Sequence, residues 1–189
     1  MSTVTENAQT PQSEEFQIKG SSLVSKLEYL REVHGDAAEL EAKKRLRDQG
    51  VYLLLVSDWY PYHLYTELNE AIVEEYLGGQ LQRLQEVGEF SARRALETVY
   101  KIYLDQGDIE AFLRRLASLH ERFFNIGTME VRSAEGSCDI LLTGAPVYPM
   151  VDMQVALGFY TGAARRFGIE NPRCELTTGA RSATYELRW

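Results

Sequence analysis

Aromatic and sulfur-containing side chains recur along this chain at positions that could wall a cavity. Aromatic walls with a few hydroxyl groups suit apolar or aromatic molecules, and an ordinary hydrophobic core is the alternative that the same residues allow. We predict a ligand-binding pocket lined by ten residues: Trp59, Tyr60, Tyr62, His63, Tyr100, Tyr103, Phe123, Met150, Met153 and Phe159.

Two glycines spaced four residues apart mark the helix predicted after Tyr148. Gly158 and Gly162, with small alanines around them, allow a second backbone or a flat ligand to approach this helix closely. Tight packing of the helix on its own sheet is the simpler interpretation.

The residues that commonly carry catalysis or bind metals are scattered. The sequence has no Gly-rich phosphate loop, nucleophile elbow, zinc-protease motif or dinucleotide fingerprint. Cys138 and Cys174 have no neighbouring base and form no Cys-x-x-Cys motif, so we expect packed, free thiols. We predict no catalytic residue, no metal and no cofactor, and hold enzymatic activity to be the less favoured interpretation.

The overall charge argues against two classes of partner. A formal net charge of −8 would require a local basic patch for binding nucleic acid or anionic lipid, and the sequence has none. The start of the chain lacks the basic and apolar regions of a secretory signal, and no uncharged run reaches the roughly 20 residues that span a bilayer. We predict a cytoplasmic protein with no nucleic-acid partner and no membrane span.

The order of the elements indicates an α+β fold. Residues 1–15 are polar and aperiodic and predict a disordered tail, whereas residues 16–189 predict one α+β domain of the ligand-binding type. N-terminal helices should pack on a C-terminal antiparallel sheet of about four strands, with one helix inserted among the strands.

Two local patterns carry more specific expectations. The apolar run 51–56 predicts either an inner extended segment or a buried helical turn, and the sequence does not separate the two. The spacing of Leu81, Leu84, Val87 and Phe90 predicts a helix to Gly88, with a further helical segment from Ala92 to Leu104.

Five short motifs occur in a characteristic order along the chain: Gly20-Ser-Ser-Leu23, Ser57-Asp-Trp-Tyr-Pro61, Gly88-Glu-Phe-Ser91, Asn125-x-Gly127-x-Met-Glu-Val131 and Tyr185-Glu-Leu-Arg-Trp189. In this order they resemble a myxobacterial paralogous family of uncharacterised proteins. From about Gly127 onward the chain is also similar to the superfamily of 4-vinyl reductase-type, haem-NO-binding-like and transport-protein-particle domains.

This resemblance implies an α+β dimer that holds a small apolar ligand or an acyl chain between helices and sheet. Some members of the superfamily have a zinc site, but here Met150 lies near its first cysteine position and Ala183 at its last. The one thiol in this region, that of Cys174, does not make a tetrahedral site, so we predict no structural zinc. The Tyr-x-Ser-x-Arg motif of haem-binding members is also missing.

The sequence and the resemblance together predict a non-enzymatic sensory or regulatory domain. Its partner would be a small apolar or aromatic molecule in an internal pocket, and the chain would form a homodimer. The alternative is a dimeric adaptor or scaffold that acts on a protein partner through its surface.

Overall fold

The N-terminal part of the fold is a layer of helices joined by a short ribbon. The structure is a computed structural model that describes residues 16–145 and 148–189. Its first elements are β1 (Gln17–Lys19), α1 (Gly20–His34), α2 (Asp36–Asp48), β2 (Trp59–Pro61) and α3 (Tyr62–Tyr76). β1 and β2 pair antiparallel, with Ile18 opposite Tyr60, and this pairing fixes the start of α1 beside the start of α3.

Three further helices lead to the sheet. A 3-10 helix (Leu81–Arg83) precedes α4 (Leu84–Glu97), α5 (Lys101–Gln106) and α6 (Ile109–Phe123). The carboxylate of Asp108 accepts a hydrogen bond of 2.8 Å from the backbone N–H of Ala111, which satisfies one free donor of the first turn of α6.

The C-terminal part is a four-stranded antiparallel sheet. Its elements are β3 (Thr128–Ala134), β4 (Ser137–Thr143), α7 (Met150–Arg166), β5 (Arg173–Gly179) and β6 (Ser182–Arg188). The strand order β3-β4-β6-β5 places the two hairpins side by side, and α7 is the connection between them. The predicted α+β class, with one helix inserted among about four strands, is confirmed.

Buried side chains alternate with more exposed ones along the two central strands, β4 and β6, and together they form a buried face. Ile140 and Leu142 of β4 lie on the same face as Ala183, Tyr185 and Leu187 of β6, and these side chains are buried together with residues of α7. Successive side chains of a strand point to opposite faces, so a period of two is sufficient to build this layer. A second hydrophobic cluster lies among α1, α2, α3 and α4.

Helices α4 and α7 pack at very short range through glycine. A Cβ atom on Gly158 would collide with the backbone of Gln85, and one on Gly88 with the backbone at Val155 and Phe159. Gly162 lies in the same way against Glu89. The predicted close approach to α7 is therefore made by α4, not by the sheet.

The same contact explains an error of the sequence prediction. Gly88 does not end a helix, because α4 continues through it to Glu97. The helical path breaks instead at residues 98–100, ahead of α5. Glycine at Gly88 removes a side chain at a helix crossing and does not terminate the helix.

The apolar run 51–56 also differs from expectation, since it is neither a strand nor a buried helical turn. It is an irregular segment in which Tyr52 is 81% exposed and Leu53 is 71% exposed. The hydroxyl group of Tyr60 holds the segment by accepting from the backbone N–H of Leu55 and donating to the carbonyl of Leu53.

Within residues 16–145 and 148–189, none of the helices combines the length and the apolar character needed to cross a lipid bilayer. The predicted tail 1–15 lies outside the described residues, and the interpretation of 16–189 as one domain stays a prediction.

The glycine contact gives the first testable prediction. Alanine has a higher helix propensity than glycine by about 1 kcal/mol, so propensity alone predicts that Gly158→Ala stabilises the protein. We expect destabilisation by about 2 kcal/mol or more, because the added Cβ meets rigid backbone of α4. Urea denaturation followed by circular dichroism measures the change.

Ser118→Ala, on an exposed position of α6, is the control and should change the free energy of unfolding by less than about 0.5 kcal/mol. A Gly158→Ala protein as stable as the wild type would show that α4 and α7 do not pack in this way.

Candidate functional site

A cavity of about 420 Å³ lies between the helical layer and the sheet. Its walls come from α1, α4, α6, α7 and the face of the sheet that carries Leu142 and Tyr185. This volume is within the range of sites that bind small molecules. Both hydrophobic clusters contribute residues, so the cavity bridges the two halves of the fold.

The wall formed by α6 and the sheet is apolar. Its side chains pack into the hydrophobic cluster of the sheet and α7 and offer few hydrogen-bonding groups: Leu116, Leu119, Phe123, Met129 and Leu142. A ligand against this wall would gain mainly from the removal of apolar surface from water.

The opposite wall, formed by α1, α3 and α7, carries two buried charged groups. Lys26 of α1 is 2% exposed and Asp152 of α7 is 8% exposed. Asp152 accepts hydrogen bonds from Thr66 Oγ1 at 2.7 Å and from Asn69 Nδ2 at 2.8 Å, and Tyr62 also donates to it. Buried carboxylates persist in proteins when such donors compensate the loss of water.

Burial shifts the protonation of both groups toward their neutral forms. Loss of hydration lowers the pKa of Lys26 to about 7, and the nearby negative charge of Asp152 offsets part of this effect. Burial raises the pKa of Asp152, and its hydrogen-bond donors oppose that shift. The pKa of the Tyr62 hydroxyl lies well above its ordinary value because of burial first and the Asp152 charge second.

Half of the predicted pocket residues lie around this cavity. They come from four regions of the chain that the fold brings together: Tyr62, Tyr100, Phe123, Met153 and Phe159. Whether these side chains bind a ligand stays a prediction.

The other predicted residues lie elsewhere. Trp59 is partly exposed beneath the ammonium group of Lys19, 4.3 Å from its ring centroid, and Tyr60 holds the segment 51–56. His63 is exposed on α3, and Met150 is 42% exposed at the start of α7. Tyr103 packs on Phe112 at a centroid distance of 6.1 Å.

The charged residues of the polar wall were missed by sequence reasoning, although the sequence contains a signal for each. Lys26 interrupts the apolar stripe of α1, where Leu23, Leu27 and Leu30 recur at helical spacing. Asp152 separates two uncharged runs, 140–151 and 153–164. A charge at a position where the pattern demands an apolar side chain indicates a buried polar site.

Comparison with solved structures identifies the architecture. A double variant of the Tt H-NOX protein superposes with a TM-score of 0.68 at 14% identity, covering 91% of this chain and 95% of that one. The chain has the H-NOX fold. No protein-family model and no curated protein sequence matches it.

Other H-NOX structures show a similar degree of likeness to this chain. An Fe(II) unliganded H-NOX variant from K. algicida gives a TM-score of 0.63 at 12% identity, with 90% of this chain and 96% of that chain covered. An oxygen-binding H-NOX domain related to soluble guanylate cyclases, in its oxygen complex, gives 0.63 at 13% identity, with 90% and 93% covered. The similarity to the haem-NO-binding-like superfamily is confirmed at the level of fold, and the comparisons do not support the myxobacterial family.

The residues of the cavity do not fit a haem. Among the described residues that line it, His120 is the only imidazole, and its Nε2 lies 3.0 Å from the carbonyl oxygen of Ile126. Its ring also stacks on Phe124 at 5.1 Å and 11°. In a metal-bound histidine one ring nitrogen bonds such a carbonyl and the other holds the metal. Here Nε2, the nitrogen further from the main chain, bonds the carbonyl, which leaves only Nδ1, the nitrogen nearer the main chain.

Tyrosine and cysteine ligands are no better placed. A tyrosinate ligand is disfavoured because burial raises the pKa of both Tyr160 and Tyr185. Cys138 and Cys174 flank Leu187 across the sheet and do not line the cavity. Burial raises the pKa of Cys174 to about 12, which suits packing and not nucleophilic attack.

The described residues also contain no group of three or more His, Cys, Asp or Glu side chains arranged to hold a metal ion.

The buried lysine predicts a pH dependence of stability. The folded-state pKa of Lys26, about 7, lies below its value of 10.5 in an unfolded chain, so between these values the unfolded state binds more protons. The free energy of unfolding should therefore rise between pH 7 and 9, by a few kcal/mol.

Lys26→Met should lack this rise and should be the more stable protein at pH 6. Arg94→Met is a suitable control, because Arg94 lines the same cavity but pairs with Glu28 at 3.1 Å on the exposed side. Denaturant titrations at each pH test this, and parallel profiles for wild type and Lys26→Met would contradict the burial of the ammonium group.

Proposed function

We propose that this chain is a non-enzymatic sensory or regulatory domain that binds a small apolar or aromatic molecule in the cavity. The cavity itself carries the proposal, since it combines a volume of about 420 Å³ with walls that are mostly apolar and aromatic. Ligand sites in proteins have this composition, with a few polar groups that orient the ligand.

The position of the cavity supports a sensory role. Residues of α1 and α4 form one side and residues of α6 and the sheet form the other, so a bound molecule would contact both hydrophobic clusters. A ligand that binds one arrangement of these layers better than another shifts the population toward it. The similar H-NOX structures, one of them an oxygen complex, show that other chains use this fold to bind a small molecule.

A regulatory role in the cytoplasm agrees with the cysteines. Cys138 and Cys174 are both free, as expected in a reducing compartment. We propose no catalytic step, because the two thiols lie outside the cavity and the carboxylate of Asp152 is fully engaged with donors.

A cavity-filling substitution tests the proposal. Ala156 of α7 lines the cavity, and Ala156→Phe would place a ring in the space that a ligand needs. Wild type should be stabilised in a thermal-shift screen of apolar and aromatic compounds and should retain a bound molecule in native mass spectrometry. Both signals should be lost in Ala156→Phe.

Ser118→Phe adds the same ring at an exposed position of α6 and should keep both signals. Failure to detect any bound species across the screen, or equal binding by both variants, would overturn the proposed function.

One observation favours the alternative function as a dimeric adaptor. Tyr52, Leu53, Leu55 and Val56 expose large apolar side chains in one continuous segment. Contiguous apolar surface of this kind often marks a contact with another protein. We propose that the segment contacts a second copy of this chain, as the superfamily resemblance implies.

Sedimentation equilibrium tests this alternative. Wild type should form a dimer at micromolar concentration, and Leu53→Ser should move it toward the monomer. Leu40→Ser, which removes an isolated exposed leucine of α2, is the matched control and should leave the dimer intact. A monomeric wild type would exclude the dimeric adaptor.

A further inference from the structure

Lys26 is a buried cation with few partners. Its ammonium nitrogen lies 3.4 Å from Ser91 Oγ and 4.9 Å from the centroid of the Tyr65 ring. Within the part of the chain that the structure describes, it forms no ion pair with any carboxylate. An ammonium group has three donors, so at least two N–H groups lack a conventional acceptor.

Asp152 does not serve as the missing counter-charge. Its two carboxylate oxygens accept hydrogen bonds from Thr66 and Asn69, with Tyr62 as a further donor. These three donors are neutral side chains from α3, and they hold the carboxylate on the α3 side of the wall. Asp152 acts on Lys26 through the field of its charge and not through direct contact.

Among the hydroxyl groups of this wall, Ser21 keeps a hydrogen that is not already donated. Ser91 donates its hydrogen to the carbonyl of Val87 at 2.9 Å, so it must accept from Ser25, 2.8 Å away, and from Lys26. Ser21 also lines the cavity, and its buried hydroxyl has no partner among the described residues. This wall therefore presents one positive charge with unused donors on Lys26 and on Ser21, and its one buried carboxylate, Asp152, is engaged elsewhere.

Other ionisable groups around the cavity do not supply that acceptor. Glu28 pairs with Arg94, and both oxygens of its carboxylate are engaged by the guanidinium group. Tyr62 and Tyr65 are neutral because burial raises the pKa of each hydroxyl. His120 lies on α6 with Nε2 bonded to Ile126, and burial lowers the pKa of its ring.

We propose that the ligand is an amphipathic monocarboxylate, whose carboxylate pairs with Lys26 while its aliphatic or aromatic body lies against the apolar wall of α6 and the sheet. This inference rests on the proposed function and specifies the chemical class of its ligand. A carboxylate has about four lone-pair sites, enough to accept from the N–H groups of Lys26 and from a further donor of the wall such as the Ser21 hydroxyl. Burial of a charged pair is favourable only when such hydrogen bonds are complete.

Matched acids and alcohols test the inference with the full chain. The probes are decanoate with 1-decanol, and 4-phenylbutyrate with 4-phenyl-1-butanol, measured by isothermal titration calorimetry at pH 6.5. In at least one of the two pairs, we expect the acid to bind at least about tenfold more tightly than its alcohol. This is the ratio expected of one charge-assisted hydrogen bond.

Two variants separate the lysine from the general charge of the cavity. Lys26→Met should bind the alcohol as wild type does and should lose the preference for the acid. Arg94→Met removes a second cation of the cavity wall that already has a carboxylate partner, and it should keep the preference. Circular dichroism confirms that each variant is folded.

Proton linkage gives an independent readout. Because the pKa of Lys26 is about 7 in the free protein, carboxylate binding at pH 8 should take up close to one proton, whereas alcohol binding should take up none. The acid affinity should fall by up to tenfold per pH unit above pH 7. Calorimetry in buffers of different ionisation enthalpy measures the uptake, which should vanish in Lys26→Met.

The outcomes distinguish the inference from the function on which it rests. Equal affinity for acid and alcohol, a preference that survives in Lys26→Met, or proton uptake that persists in that variant would each overturn the carboxylate inference alone. If wild type binds neither member of either series and no compound of the wider screen, the proposed function is overturned together with the inference.

Discussion

The backbone contact between α4 and α7 is the constraint on which the rest of the structure depends. Three glycines, Gly88, Gly158 and Gly162, let the backbones of the two helices approach each other directly. The ion pair of Arg166 with Glu97, 2.8 Å long, and that of Arg165 with Glu89 lie along the same pair of helices. Surface ion pairs contribute little energy, so the crossing depends on shape.

This contact also sets the dimensions of the cavity. Ser91 and Ala95 of α4 and Asp152, Ala156 and Phe159 of α7 all line it, so the separation of the two helices fixes one of its widths. A crossing held by backbone is less deformable than one held by long side chains, because no rotamer change can widen it. The cavity-lining side chains of α4 and α7, such as Ser91 and Asp152, are therefore held at a fixed separation.

The sequence predicts the fold class well because turn residues and strand alternation are local properties. Gly136 and Gly179 lie at the turns of the two hairpins, and the alternating strands flank them. The segment 51–56 is different, since apolar composition does not reveal whether a covering layer exists. Gly88 is ambiguous for a similar reason: a glycine that ends a helix and one that admits a neighbour look alike in sequence.

The candidate site was harder to predict, because its polar wall consists of exceptions to the pattern. Aromatic residues such as Tyr62 and Phe159 were chosen by type and reach the cavity, whereas Trp59 and His63 were chosen by the same criterion and lie outside it. Lys26 and Asp152 are 126 positions apart (152 minus 26), and only the fold brings them to one wall.

The irregular segment 51–58 offers a route by which the proposed ligand would reach the cavity. Val56 is part of the cavity wall, and the segment is attached to the start of α1 by hydrogen bonds from Gly20 to Asp58 and from Ser21 to Val56. Much of its apolar surface is already in water, so displacing it costs little hydration free energy. The free energy needed to open an exposed irregular segment locally is low compared with the free energy of global unfolding. A ligand entering by this route would leave both hydrophobic clusters intact, so its residence time would depend on the local opening and not on global stability.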